Sequence, residues 1–127
     1  CRPVAAAAAR RCAQRGPRAY LWPGREAAQA IQSFSAGLDV KGYVGNELVQ
    51  AAVERKFEVI GEALNQLAKL DAAMAARIPD VPQVVAFRNQ LIHGYATVNP
   101  DTVWNIAQNA LPGLLAAVQG LLDDLGP

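Results

Sequence analysis

Asp80-Val81-Pro82-Gln83-Val84-Val85-Ala86-Phe87-Arg88-Asn89-Gln90-Leu91-Ile92-His93-Gly94-Tyr95 is the stretch from which the rest of the chain can be read. Its pattern predicts one helix. Asp80 suits the cap position, Pro82 the first turn, and Gly94 the left-handed residue at a helix end. Val84, Phe87 and Leu91 recur at steps of three and four, so their face turns inward. Asn89 and His93 then lie one turn apart on the outward side. Arg88 falls on the border, with a side chain long enough to swing toward them.

These residue types together point to phosphate chemistry. A guanidinium offers a permanent positive fork to phosphate oxygens, and an imidazole carries a proton either way near neutral pH. A carboxamide beside them can orient a ligand, and the phenol of Tyr95 follows just past the helix end. Spacing alone does not decide the matter. An Arg and a His five apart on a helix also arise by chance, and a His in a last turn often only meets the final carbonyls.

The wording of the stretch is more specific than its spacing. Arg88-Asn89, His93 and Tyr95, read as R-N-x-x-x-H-x-Y, resemble the signature of the HepT-like toxins of the HEPN superfamily of small helical ribonucleases. Glu58-Val59-Ile60-Gly61-Glu62-Ala63 looks like that family's central-helix segment. Ile78-Pro79-Asp80-Val81-Pro82 looks like its lead-in to the motif helix, and Val103-Trp104 with Leu111-Pro112 like its last helix. The resemblance covers about residues 25–124, in order.

Composition sets the frame. The chain has 127 residues, enough for one domain with a single core, and 52% are hydrophobic while only 6% are aromatic. Such a mixture favours helices packed closely through small side chains. Cys1 and Cys12 make neither a disulfide framework nor a metal-ligand cluster, so a reducing cytoplasm is the expected location. No apolar run approaches the roughly 20 residues that a membrane span needs.

The net charge of +1 conceals an asymmetry. Residues 1–25 hold six Arg and no acid; residues 26–127 hold six basic and eleven acidic groups, for a net −5. The body is therefore no broad nucleic-acid surface, and RNA contact there needs its few cations gathered around Arg88. Residues 1–18 are rich in Ala and Arg and fit three readings: a helical arm, a targeting-like presequence, or an upstream segment foreign to the domain. The division expected here is an accessory arm over residues 1–24 and a helical domain over residues 25–127.

The remaining helices follow from periodicity. Ala27, Ile31, Phe34 and Leu38 predict a bundle helix over residues 25–38, with Pro23-Gly24 interrupting any earlier start. Residues 41–46 read as a connection ending in the cap Asn46. The next helix, to about residue 70, carries Val49, Val53, Phe57, Ile60, Leu64 and Leu67 on one stripe. Leu48, Ala52, Val59, Ala63 and Leu70 form a second stripe, suited either to a further neighbour or to a second copy of the chain. Asn99-Pro100 starts a last helix in which Trp104, Ala107, Leu111, Leu114, Val118, Leu121 and Leu125 alternate at three and four, with Pro112 bending it. Trp104 sits on that stripe as a core residue. The fold class is all-α, an antiparallel four-helix up-and-down bundle, which the resemblance extends to a homodimer.

Glu54, Glu58 and Glu62 share the polar side of the long helix. Such runs are mostly solvated faces. Glu58 and Glu62 have a sharper use: one of them pairs with Arg88 and holds its fork in place, with neither expected to bind metal.

Cleavage of RNA by its own 2′-hydroxyl requires a base, an acid and positive charge at the crowded phosphate. The chain has one His, so two copies of the motif side by side would supply two proton carriers. In this scheme His93 moves protons, Arg88 stabilises charge and Asn89 orients the phosphate or the imidazole. The resemblance implies the same composite site in a dimer. It further implies a toxin–antitoxin pair in which a nucleotidyltransferase antitoxin transfers AMP from ATP to Tyr95. ATP and magnesium then belong to that partner, and this chain itself needs no cofactor. The rival from another class is a non-catalytic helical adaptor that dimerises or docks nucleotide or a nucleotidyltransferase, a role the negative body suits.

Overall fold

The computed structural model describes residues 6–93 and 98–126, with side chains from residue 16 onward. Among the described residues seven helices follow in order: α1 (Ala6–Ser35), α2 (Val40–Val44), α3 (Glu47–Leu70), α4 (Ala72–Ala75), α5 (Val81–His93), α6 (Pro100–Asn109) and α7 (Leu111–Leu125). No strand occurs among the described residues. Short polar side chains start several of the helices by taking an otherwise orphaned amide. Asn46 accepts from Val49 at 3.1 Å, Asp39 from Gly42 at 2.7 Å, Asp71 from Met74 at 3.0 Å and Asn99 from Asp101 at 2.9 Å. Asp80 adopts a positive φ of 64°, and its carbonyl receives the amide of Val84 to open α5.

α3 is the spine. Val53, Phe57, Ile60, Leu64 and Leu67 are all buried along one face. Burial of five such side chains is worth roughly 10 kcal/mol before ordering entropy is counted. α1 runs antiparallel to α3, since Gly16 meets Leu70 while Gly24 lies over Ala63. α5 runs antiparallel on the other side, where the rings of Phe57 and Phe87 meet edge-on at 5.3 Å. α7 closes on α1: Arg18 donates to the carbonyls of Leu125 and Gly126, and Arg25 to Gln119. The result is an antiparallel helical bundle with α1, α3, α5 and the α6–α7 pair as its long members. No helix among the described residues is long and apolar enough to cross a membrane.

Four local expectations need correction. α1 does not begin at residue 25 but runs unbroken through Pro17 and Pro23. An internal proline costs about 3 kcal/mol in an isolated helix; here Leu21, Ala27, Ala28 and Ile31 are buried against neighbours, and that packing outweighs it. The helix also stops at Ser35 rather than at residue 38, and its buried stripe passes from Ile31 to Ser35, whose hydroxyl donates to the Ile31 carbonyl, so Phe34 is left 38% exposed. The connection after it holds the short α2, whose Tyr43 is buried with its ring 5.4 Å from Trp104. The last helix is not bent but divided at Ala110, because Pro112 cannot donate and crowds the preceding turn. On the second stripe of α3, Ala63 is buried, whereas Leu48 is 80% exposed.

Candidate active site

α5 presents its residues as the 3.6-residue period requires. Val84 and Phe87 are buried, Leu91 is half-buried, and Asn89 and His93 are exposed. Arg88 lies between the two faces, and its side chain is only 22% exposed. What admits it there is a glycine on the neighbouring helix. A Cβ placed on Gly61 would stand 2.7 Å from the Arg88 Cγ, closer still to its Cβ, and 3.3 Å from the Val84 carbonyl. The missing side chain therefore lets α5 settle onto α3 and beds the arginine stem in the crossing.

Beyond that crossing the guanidinium is held from two sides. Its Nη2 lies 2.8 Å from Glu62 Oε2, and its Nη1 donates to Asn89 Oδ1 at 2.9 Å. Glu62 is itself steadied by Gln66, whose Nε2 donates to Oε1 at 2.9 Å. The buried Nε of Arg88 has no partner among the described residues. Since Glu62 is 45% exposed, the ion pair contributes at most about 1 kcal/mol to stability. Its larger effect is orientation, because a doubly held planar fork cannot rotate away.

Glu58 does not join this set; it lies 3.7 Å from Arg55, one turn back along α3. Farther along, burial and then the charge of Glu58 push the Glu54 carboxyl above its usual range. Burial and then Glu54 push the Tyr43 phenol up to about 12. His93 ends α5 with its ring exposed. Gly94 and Tyr95 lie outside the described residues. Arg88, Asn89 and Glu62 thus form one bonded group, and His93 stands at the solvent end of the same helix.

Beside this group a groove of about 450 Å³ opens between α1, α3 and α5, with Arg88 and Glu62 in its wall. Sequence reasoning missed Gly61, Gln66 and Tyr20, which shape the crossing, the carboxylate and the groove respectively. For Gly61 a signal existed: a lone glycine inside a run of good helix formers often marks a close helix approach.

The sequence model of the family described as "Ribonuclease HepT-like" matches residues 25–121. The chain belongs to the HepT-like ribonuclease family. Among its relatives are "Putative RNase MJ1216" and "Putative RNase MJ1380" of Methanocaldococcus jannaschii. The first is 27% identical over 114 residues, spanning 88% of this chain and 92% of the relative. The second is 28% identical over 108 residues, spanning 84% and 96%. "Probable ribonuclease HepT" of Thermococcus cleftensis is 27% identical over 101 residues, 80% of this chain and 91% of the relative. No solved structure matches the chain. The family's matched stretch contains Gly61, Glu62, Arg88, Asn89 and His93, and leaves Tyr20 outside it.

Proposed function

We propose that this protein is a metal-independent endoribonuclease, the toxin of a toxin–antitoxin pair, acting at a composite site in the cleft of a homodimer. The observation that carries the reading is the Arg88 fork, bedded over Gly61 and held by Glu62 and Asn89 on the helix that ends in the exposed His93. Membership of a family described as ribonucleases supports RNA as the substrate.

The chemistry follows from the residues. One imidazole takes the proton of the 2′-hydroxyl, and O2′ attacks the adjacent phosphorus. The bond from phosphorus to O5′ breaks, and O5′ receives a proton from the imidazolium of the second copy. A 2′,3′-cyclic phosphate and a 5′-hydroxyl result. Arg88 neutralises charge gathering on the non-bridging oxygens, and Asn89 steadies the fork. The chain supplies a single His, so a twofold arrangement gives the base and the acid together. AMP transferred to Tyr95 by a nucleotidyltransferase antitoxin would add bulk and negative charge two residues beyond the imidazole, where RNA phosphates must approach.

The test is RNA incubated with purified protein in EDTA, with the new ends identified chemically. Cyclic-phosphate ends made by the wild type and lost in His93→Ala support this reading. Tight binding of a nucleotidyltransferase with no cleavage supports the adaptor role instead, which the −5 charge of residues 26–127 favours. Mass spectrometry after incubation with the antitoxin and ATP checks Tyr95; an unmodified residue removes that part.

A further inference from the structure

The groove beside Arg88 has no part in the scheme above, yet it is built like a ligand site. Its volume of about 450 Å³ falls within the usual size of small-molecule sites. Two of its residues, Arg88 and Glu62, are also the bonded pair of the candidate active site. Apolar side chains from three helices line the groove beside them, Tyr20 and Pro23 of α1, Val59 of α3 and Ile92 of α5, while Arg55, Glu58 and Gln66 of α3 complete its polar edge. Tyr20 is the one aromatic residue in that lining.

We propose that this groove is a nucleobase subsite, with the Tyr20 ring as the stacking face for the base attached to the nucleotide whose phosphate Arg88 holds. The inference rests on the ribonuclease reading and extends it to a specific contact. A phosphate seated at a guanidinium carries a base within one nucleotide of it, so the apolar wall beside Arg88 lies where a base falls. Unstacked RNA bases are commonly received on aromatic faces. Charge makes the same demand. In the groove lining Arg55 and Arg88 are matched by Glu58 and Glu62, so affinity for a polyanion there has to come in part from contacts that are not ionic.

Binding is read without cleavage, on the full chain bearing His93→Ala, by fluorescence anisotropy of a labelled single-stranded RNA. Adding Tyr20→Ala or Tyr20→Leu weakens binding roughly 5- to 100-fold, the usual worth of one stacked base. Tyr20→Phe keeps the ring and restores binding to within about twofold. The salt dependence stays constant across the series, since no charge is removed. In the cleavage-competent protein, Tyr20→Leu raises KM and leaves kcat unchanged. The leucine preserves apolar packing, so a thermal melt matching the parent separates loss of stacking from loss of fold.

Unchanged affinity in both Tyr20→Ala and Tyr20→Leu overturns the subsite while leaving the ribonuclease reading intact. A parent protein that binds no RNA overturns both. A change in sedimentation mass caused by Tyr20→Leu also overturns the subsite, because the groove would then be filled by a second copy.

Discussion

Gly61 and Arg88 meet where α3 and α5 cross, and the space a Cβ would need on the glycine is already occupied by the arginine stem. The nearest atoms are the Arg88 Cβ and Cγ, which are tied to the α5 backbone rather than free to swing aside. In an open helix, Gly→Ala gains about 0.5–1 kcal/mol. At this crossing overpacking wins, and Gly61→Ala should destabilise the protein by about 1–3 kcal/mol in urea unfolding. It should also lower RNA cleavage by displacing the fork. A variant as stable and active as the wild type would show that the crossing has slack.

Arg88→Lys keeps the positive charge and loses the fork. A point ammonium cannot hold Glu62 and Asn89 in one plane as the guanidinium does at 2.8 and 2.9 Å. Cleavage under single-turnover conditions should fall about 10²–10³-fold. Stability should change by less than about 1 kcal/mol, because the ion pair is half open to water.

Glu58 and Glu62 of α3 should separate by function. Glu62→Gln removes the charge facing Arg88 and should lower kcat, by up to about 10²-fold if the fork shifts by an ångström. Glu58→Gln removes the 3.7 Å contact with Arg55 and the charge beside Glu54, neither of which holds Arg88, and should leave kcat within about twofold. Steady-state kinetics of both variants, made side by side, checks the contrast. Equal effects would mean that Glu62 does not position Arg88.

Alkaline pH should reveal the buried Tyr43. Its phenol moves from the ordinary 10.0 up to about 12 in the folded protein. Below 10 both states keep the proton, and the fold loses nothing. Between 10 and 12 the unfolded chain gives up its proton first, so stability falls as pH rises. Tyr43→Phe should flatten that fall while costing little at neutral pH, because the hydroxyl has no hydrogen-bond partner among the described residues. Urea midpoints measured from pH 7 to 11 decide it; an unchanged alkaline slope would locate the loss elsewhere.

The sequence was most informative where structure is local. The facing of α5 was legible because Val84, Phe87 and Leu91 are governed by helical period alone. Caps Asn46 and Asn99 were legible for the same reason, being side chains that serve amides two or three residues on. Pro23 and Pro112 show why local rules then fail. Each removes a hydrogen bond, yet α1 continues through the first because Leu21 is fully buried, while the chain turns at Ala110 ahead of the second. Phe34 misled because the buried stripe of α1 steps from Ile31 to Ser35, four residues on, and leaves residue 34 to one side. That Glu58 or Glu62 would pair with Arg88 was legible in the sequence, but which of the two meets the fork depends on how two distant helices cross. Tyr20 reaches the groove only through the packing of α1 on α3, which no spacing in the sequence encodes.

The central claim is that two copies of one chain complete a single site. Wild-type and His93→Ala proteins, mixed in equal amounts and allowed to exchange subunits, test it through the RNA cleavage rate at fixed total concentration. If both imidazoles are required, only pairs of two wild-type subunits cleave, and the rate falls to about one quarter of the undiluted wild type. A rate of about one half would mean that each subunit works alone, and would contradict the account.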